Sequence, residues 1–259
     1  MNPFYIIAQK EWTQLIREAK MIWMPLAFMF LGAAQPVLIY FLPSILEAAG
    51  GGQGITIDSS IADQTGGQVL GAALASQFDQ LGVIIIVIST MGIIQADKVS
   101  GMLAFILTKP VSIGAYISGK MIAGYLAAAL SVTCGFVVAF LYTNYLFIPV
   151  SWGNALLALL IYLVWMLFIV SFTTMISTLF NGQGVIALIS IAFLLACRMT
   201  AGMHPVLDWF NPASLSLQAA EILASGYAGA NLLISIPTVM VWIFFTVTVS
   251  YKWISQKKF

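Results

Sequence analysis

Charge is what this chain has least of. Only 7% of its 259 residues are Asp, Glu, Lys or Arg, against about a quarter in a soluble domain. A chain so poor in charge cannot cover itself with water-compatible surface. With 61% hydrophobic residues and a mean hydropathy of +1.01, its solvent is a bilayer. Histidine occurs once, as His204, and cysteine twice, as Cys134 and Cys197. One His with a single nearby carboxylate, Asp208, falls short of a catalytic metal set. Both cysteines lie inside apolar runs and read as buried thiols, not as a disulfide or a metal pair. The chain has no H-E-x-x-H, no G-x-S-x-G and no paired carboxylates, so hydrolytic chemistry has no residues to use. A net charge of +1, without basic residues interleaved with aromatics, offers nucleic acid nothing to hold. The first long apolar run starts only at Met21, behind a charged, Trp-containing segment, which does not fit a removable signal peptide.

What is present is a series of apolar runs of bilayer length. They predict one all-α transmembrane domain over 1–259, with six spanning helices at 21–42, 78–96, 119–141, 154–179, 185–200 and 231–251. Residues 3–20 predict an interfacial helix. Phe4, Ala8, Trp12, Leu15, Ile16 and Ala19 share one face, with Lys10, Thr13, Gln14, Arg17 and Lys20 elsewhere. Residues 43–77 form a polar outer loop with Glu47, Asp58 and Asp63 and no Lys or Arg. Its later part, 68–77, is expected to be a short helix on the outer surface. Residues 201–229 are a second outer segment, expected to form two short helices that dip into the bilayer and return. Gly124, Ala127, Ala128, Ala129 and Gly135 in the third span permit close helix approach.

The basic residues set the orientation. Lys10, Arg17 and Lys20, then Lys98, Lys109 and Lys120, then Lys252, Lys257 and Lys258 account for nine of the ten Lys and Arg. An even number of spans puts all three groups on one side, and the positive-inside rule makes that side cytoplasmic, with both termini.

The densest polar island is 97–120, between spans two and three. Met102, Leu103, Phe105, Ile106 and Leu107 recur at helical spacing until Lys109-Pro110 ends the run. About ten residues at ~1.5 Å each give a helix of about 15 Å, half the thickness of a bilayer core. It is therefore a short amphipathic helix beside the membrane, an apolar knob on a charged stem, suited to a soluble partner. Gly114 to Lys120 matches the phosphate-loop spacing G-x-x-x-x-G-K. However, Met121 stands where Ser or Thr would hold magnesium, and a membrane span follows, so it reads as the entry to span three.

The island and the topology together resemble the ABC-2 type transporter permeases. The residues that carry the resemblance are Asp97-Lys98, Gly101, Met102-Leu103, Leu107, Pro110-Val111-Ser112 and Gly119-Lys120. Ile113 departs from the family's basic residue after the Ser, which shifts docking onto the apolar knob. The resemblance implies a six-helix membrane subunit with an N-terminal elbow helix and a short coupling helix docked on a cytoplasmic ABC ATPase. It also implies a second permease copy or paralogue, a bacterial plasma membrane, and an ATP-driven exporter. Asp97, Lys98, Gly101, Met102, Leu103, Phe105, Lys109 and Pro110 would then meet the ATPase. The chain would need no cofactor of its own, because ATP and Mg bind the partner.

Few polar side chains occur in the spans, which suits an apolar or amphiphilic cargo: a peptide, a lipid-like molecule or a drug. Gln35, before Pro36, marks either a kink or a break lining the path. Arg198 is the one basic residue away from the cytoplasmic groups. It is either paired with Asp79 or Asp208 near the outer surface or placed at the outer end of the path. Two rivals stay open: a membrane anchor or sensor that recruits a cytoplasmic partner, and a secondary transporter. The second is disfavoured because spans two, three, four and six have no ionisable residue near mid-bilayer.

Overall fold

The computed structural model describes residues 3–48, 64–108, 111–229 and 231–256. Lys109, Pro110, Lys257, Lys258, Asp58 and Asp63 lie outside them, as does most of the first outer loop. Among the described residues there is no strand. Six helices are long and apolar enough to cross a membrane: Lys20–Ile45, Gly66–Val99, Ile113–Leu146, Trp152–Leu179, Gln183–Thr200 and Leu232–Gln256.

Helix α1 (Pro3–Arg17) turns sharply at Ala19, whose φ of 56° is left-handed. It then leads into α2 (Lys20–Ala48), which continues unbroken through Pro25, Pro36 and Pro43. α1 buries Glu11 more deeply than its apolar residues, while Tyr5, Ile6 and Ile16 stay exposed. The inward line is set by an ion pair, described below.

Span two begins twelve residues earlier than the hydropathy suggested. Thr65 caps α3 (Gly66–Ala73) in a reciprocal box with Gln68. The helix then passes through a π-helical segment (Leu74–Gly82) into α4 (Val83–Thr90). The stretch 68–77, expected on the surface, is buried: Val69, Leu70, Ala73 and Leu74 are closed off from solvent. Gly67 and Gly71 permit this, because a Cβ at either would strike a carbonyl of Leu223 or Ala220 in the later helix Ser214–Ser225. A turn at Met91–Ile94 separates α4 from α5 (Gln95–Val99), and α6 (Met102–Leu107) follows Gly101.

Helix α7 (Ile113–Leu146) lies along α2, and the two backbones meet where Gly32 faces Gly135. α8 (Trp152–Leu179) is the spine, with Tyr162, Trp165, Phe168 and Ile169 fully buried among α4, α7 and helices that come later in the chain. α9 (Gln183–Thr200) is followed by the pair α10 (Pro205–Phe210) and α11 (Ser214–Ser225), and α12 (Leu232–Gln256) ends the described chain. Cys134 and Cys197 are free thiols, but both are partly exposed. Expected as buried thiols, they are half-buried, and lipid suits an apolar thiol as well as a protein core does.

The bundle has two packed regions. The main core fills most of the bundle. A satellite cluster of Ile94, Leu103, Tyr116, Ile117 and Ile254, with Ile7 against it, gathers α1, the 94–106 segment, the start of α7 and the end of α12. The described segments that carry Lys10, Lys98, Lys120 and Lys252 therefore meet at one end.

Candidate functional site

At this basic end the stem of α6 is tied down by charge. Lys120, on α7, is 3% exposed and lies 2.8 Å from a Glu11 carboxylate oxygen on α1 and 3.0 Å from Asp97 Oδ2 on α5. It also donates to the Ile93 carbonyl at 2.8 Å, and Tyr116 donates its phenolic O–H to Asp97 Oδ2 at 2.8 Å. Two carboxylates around one ammonium join α1, α5 and α7 at a single point. A buried lysine needs such partners, since an uncompensated charge out of water costs several kcal/mol. The phosphate-loop likeness dissolves here: 113–120 is the first part of α7, and Lys120 points into this cluster.

Asp97's neighbour Lys98 faces the other way. Its ammonium donates to the carbonyls of Ser177, Thr178 and Phe180 at 3.2, 2.8 and 2.7 Å, capping the C-terminus of α8. Ser177 also mends the break in span two. The backbone N–H groups of Ile94 and Gln95 donate to its hydroxyl, which donates in turn to the Met91 carbonyl. Gln95 completes the join by donating to the Asn181 carbonyl and accepting from Gln183. A break at membrane depth survives where such groups are re-satisfied.

The docking residues expected from the sequence therefore divide. Asp97, Lys98 and Leu103 are inward members of the stem, with Leu103 fully buried. Gly101 takes a left-handed φ of 72° and starts α6. Met102 and Phe105 are exposed, at 42% and 62%, and Lys10 of α1 donates to the Met102 sulfur at 3.2 Å. Lys109 and Pro110 are outside the described residues. Glu11, Tyr116 and Ser177 escaped sequence reasoning. Glu11 carries a signal, as the one acid among the basic residues of 3–17; a lone Ser in an apolar run carries none.

At the α1–α2 corner, Glu18 takes hydrogen bonds from Gln14 and Lys20, both at 2.7 Å. Partial burial pushes its carboxyl up, but these donors and the Lys20 charge outweigh that and hold it below the ordinary range.

The opposite end has its own polar node. Asp79, in the π-helical segment, is 1% exposed. Its Oδ2 accepts from Arg198 Nε at 2.7 Å and from Ser216 Oγ at 2.6 Å, and its Oδ1 accepts from the Tyr162 hydroxyl at 3.1 Å. One carboxylate thus joins span two, α8, α9 and α11. Arg198 pairs with Asp79 and not with Asp208, which accepts from the Gly202 N–H. Arg198 also edges an open groove of about 600 Å³ between span two and α9, with Leu81, Ile84 and Leu195 among its walls. Gln35 is half-buried and accepts from Gln77 at 3.4 Å, so α2 touches span two there. His204 caps α10 by accepting from the Val206 N–H. Among the described residues no group of three or more His, Cys, Asp or Glu could hold a metal.

Six spanning helices, two buried ion-pair nodes at opposite ends and no metal or nucleophile cluster among the described residues define a multi-pass membrane protein built to hold shape across a bilayer. Residues 5–253 match the family model described as ABC-2 family transporter protein, and the chain belongs to that family. It is also 30% identical over 251 residues to a Bacillus subtilis protein named "Uncharacterized transmembrane protein YxlG", covering 95% of this chain and 96% of the relative. The protein is a permease of the bacterial plasma membrane. Permeases of this family serve transport as membrane subunits and normally work with a separate ATPase.

Proposed function

We propose that this chain is the permease subunit of an ATP-driven exporter, and that a cytoplasmic ATPase docks on α6. The observation that carries the reading is the construction of that helix. Met102 and Phe105 are presented outward, while Leu103 is buried and the stem is pinned to α1, α7 and α8 by Lys120 and Lys98. A load applied to the knob then reaches three helices instead of bending a loop. With the basic end cytoplasmic, α1 acts as an elbow along the membrane surface and both termini are inside. ATP and Mg are bound by the partner, and the chain itself needs no cofactor.

Six spans enclose little on their own, so a second copy or a paralogue completes the core. The groove beside Arg198 supports an outer path for an apolar or amphiphilic cargo, since its walls are mainly aliphatic around one cation. The test is to express Met102→Asp/Phe105→Asp beside the wild type and measure membrane insertion, ATPase co-purification and cargo export. The expected result is normal insertion with loss of the ATPase and of export. A variant that keeps both overturns the docking assignment. If the ATPase binds the wild type without nucleotide-dependent cargo movement, the chain is an anchor or sensor instead.

A further inference from the structure

We propose that the outer face of α1 is a binding site for the phosphodiester headgroup of an anionic phospholipid, placed against α6. Lys10, Thr13, Gln14 and Arg17 line a shallow groove of about 420 Å³. Their spacing of three, four and seven residues puts all four on one helix face. The two cations are the donors for a phosphate, since the Thr13 hydroxyl donates to the Gln9 carbonyl and the Gln14 amide to Glu18, and no carboxylate lines the groove. The two acids of this part of the chain are paired elsewhere, Glu18 with Lys20 at 2.7 Å and Glu11 with Lys120 at 2.8 Å. Charge complementarity therefore calls for an anion from outside the chain.

The surroundings point to a lipid over an acidic peptide. The same helix exposes Tyr5, Ile6 and Ile16, and just past the Ala19 corner α2 exposes Ile22, Leu26 and Phe30 at four-residue spacing. A headgroup on Lys10 and Arg17 would have an apolar lane beside it for its acyl chains. Because Lys10 also donates to Met102 of α6, an anion at this site shares a ligand with the knob. The leaflet's charge is thus read at the helix we assign to the ATPase. The proposal rests on the reading of α1 as a helix lying along the membrane surface, but its test in detergent does not depend on sidedness or transport.

The experiment uses the full chain, delipidated in detergent. Phosphatidylglycerol, phosphatidylcholine or inorganic phosphate is titrated in, with binding followed by native mass spectrometry and thermal shift. Wild type is expected to bind phosphatidylglycerol selectively. Lys10→Gln/Arg17→Gln should weaken it by about 25- to 30-fold and either single change by about 5-fold, the scale of one basic residue near an anionic surface. Lys10→Arg/Arg17→Lys, which keeps both charges and guards against a folding defect, should bind within about twofold of wild type. Lys252→Gln, a charge loss on α12, should also leave binding unchanged. Equal phosphatidylglycerol affinity in the double Gln variant overturns the site. Equal stabilisation by inorganic phosphate replaces the lipid with a soluble anion. Unchanged lipid binding with lost ATPase co-purification would show the groove to be a protein contact.

Discussion

Asp79 gives the sharpest test of how this bundle is held. Its carboxylate is 1% exposed and takes donors from Arg198, Ser216 and Tyr162, while the Arg198 side chain is 19% exposed. Asp79→Asn keeps the shape but strands the guanidinium at membrane depth. Removing one partner of a buried pair costs about 3–5 kcal/mol, and the partial exposure of Arg198 puts this case near ~3 kcal/mol. Ser216→Ala and Tyr162→Phe each remove one interhelical hydrogen bond and should cost only about 0.6 kcal/mol, the average such bond is worth in a bilayer. Asp79→Asn/Arg198→Gln leaves two neutral amides able to bond, so it should be more stable than Asp79→Asn alone. Unfolding in mixed micelles, followed by tryptophan fluorescence, measures these four variants and the single change Arg198→Gln. The reasoning fails if Asp79→Asn lies within ~0.5 kcal/mol of wild type, or if the double variant loses the sum of its two single losses.

The same logic predicts that Lys120→Met, which leaves two buried carboxylates without their cation, will be partly rescued by adding Glu11→Gln/Asp97→Asn, in the same unfolding assay. Ala19→Gly should stabilise the corner by up to ~1 kcal/mol, because only the left-handed φ is relieved, and Gly101→Ala should destabilise by a similar amount. Both are read from unfolding midpoints. Ser177→Ala should leave the Ile94 and Gln95 N–H groups without a partner and raise amide exchange at 91–95. Glu18 is expected to titrate below an ordinary glutamate by carboxyl NMR. Its folded value is depressed, so its contribution is present above the unfolded value and fades as pH falls through the folded one.

The spans were legible because bilayer length and low charge leave few alternatives: α8 was expected at 154–179 and is Trp152–Leu179. Span two shows where that signal fails. Gly66–Gln77 is too polar and glycine-rich for a hydropathy window, yet α11 covers it, and burial by protein replaces burial by lipid. For the candidate site, composition marked 97–120 as the place to look but could not separate stem from knob. Leu103 and Phe105 are equally apolar in sequence, and Asp97 and Lys98 equally charged. Which of them faces inward depends on Glu11 and Tyr116, brought in from α1 and α7. The Asp79–Arg198 pair was one of two pairings open to Arg198. Ser216 and Tyr162 could join it only once the chain had folded.

Span two and α8 are fastened to each other twice. Ser177 of α8 holds Ile94 and Gln95, and Tyr162 of the same helix holds Asp79. Those two α8 residues are fifteen positions apart, about 22 Å along the axis. The irregular parts of span two, the Met91–Ile94 turn and the π-helical segment, fall at the two fastenings and not between them. Between the pins lies the regular helix α4, packed on the fully buried side of α8. A load taken at α6 would therefore move α4 and α8 as one body, with bending left to the two ends. The lower bend is stitched by hydroxyl and amide groups, and the upper one is closed by an ion pair that α9 and α11 also use. It follows that the pair α10–α11, at the Asp79 end, should respond to changes at Ser177 only while Asp79 is intact. Ser177→Ala should alter the protease or cysteine-labelling accessibility of 201–229 in an otherwise wild-type chain. In an Asp79→Asn background it should add nothing, and an additive effect there would show that the two ends are not mechanically joined through α8.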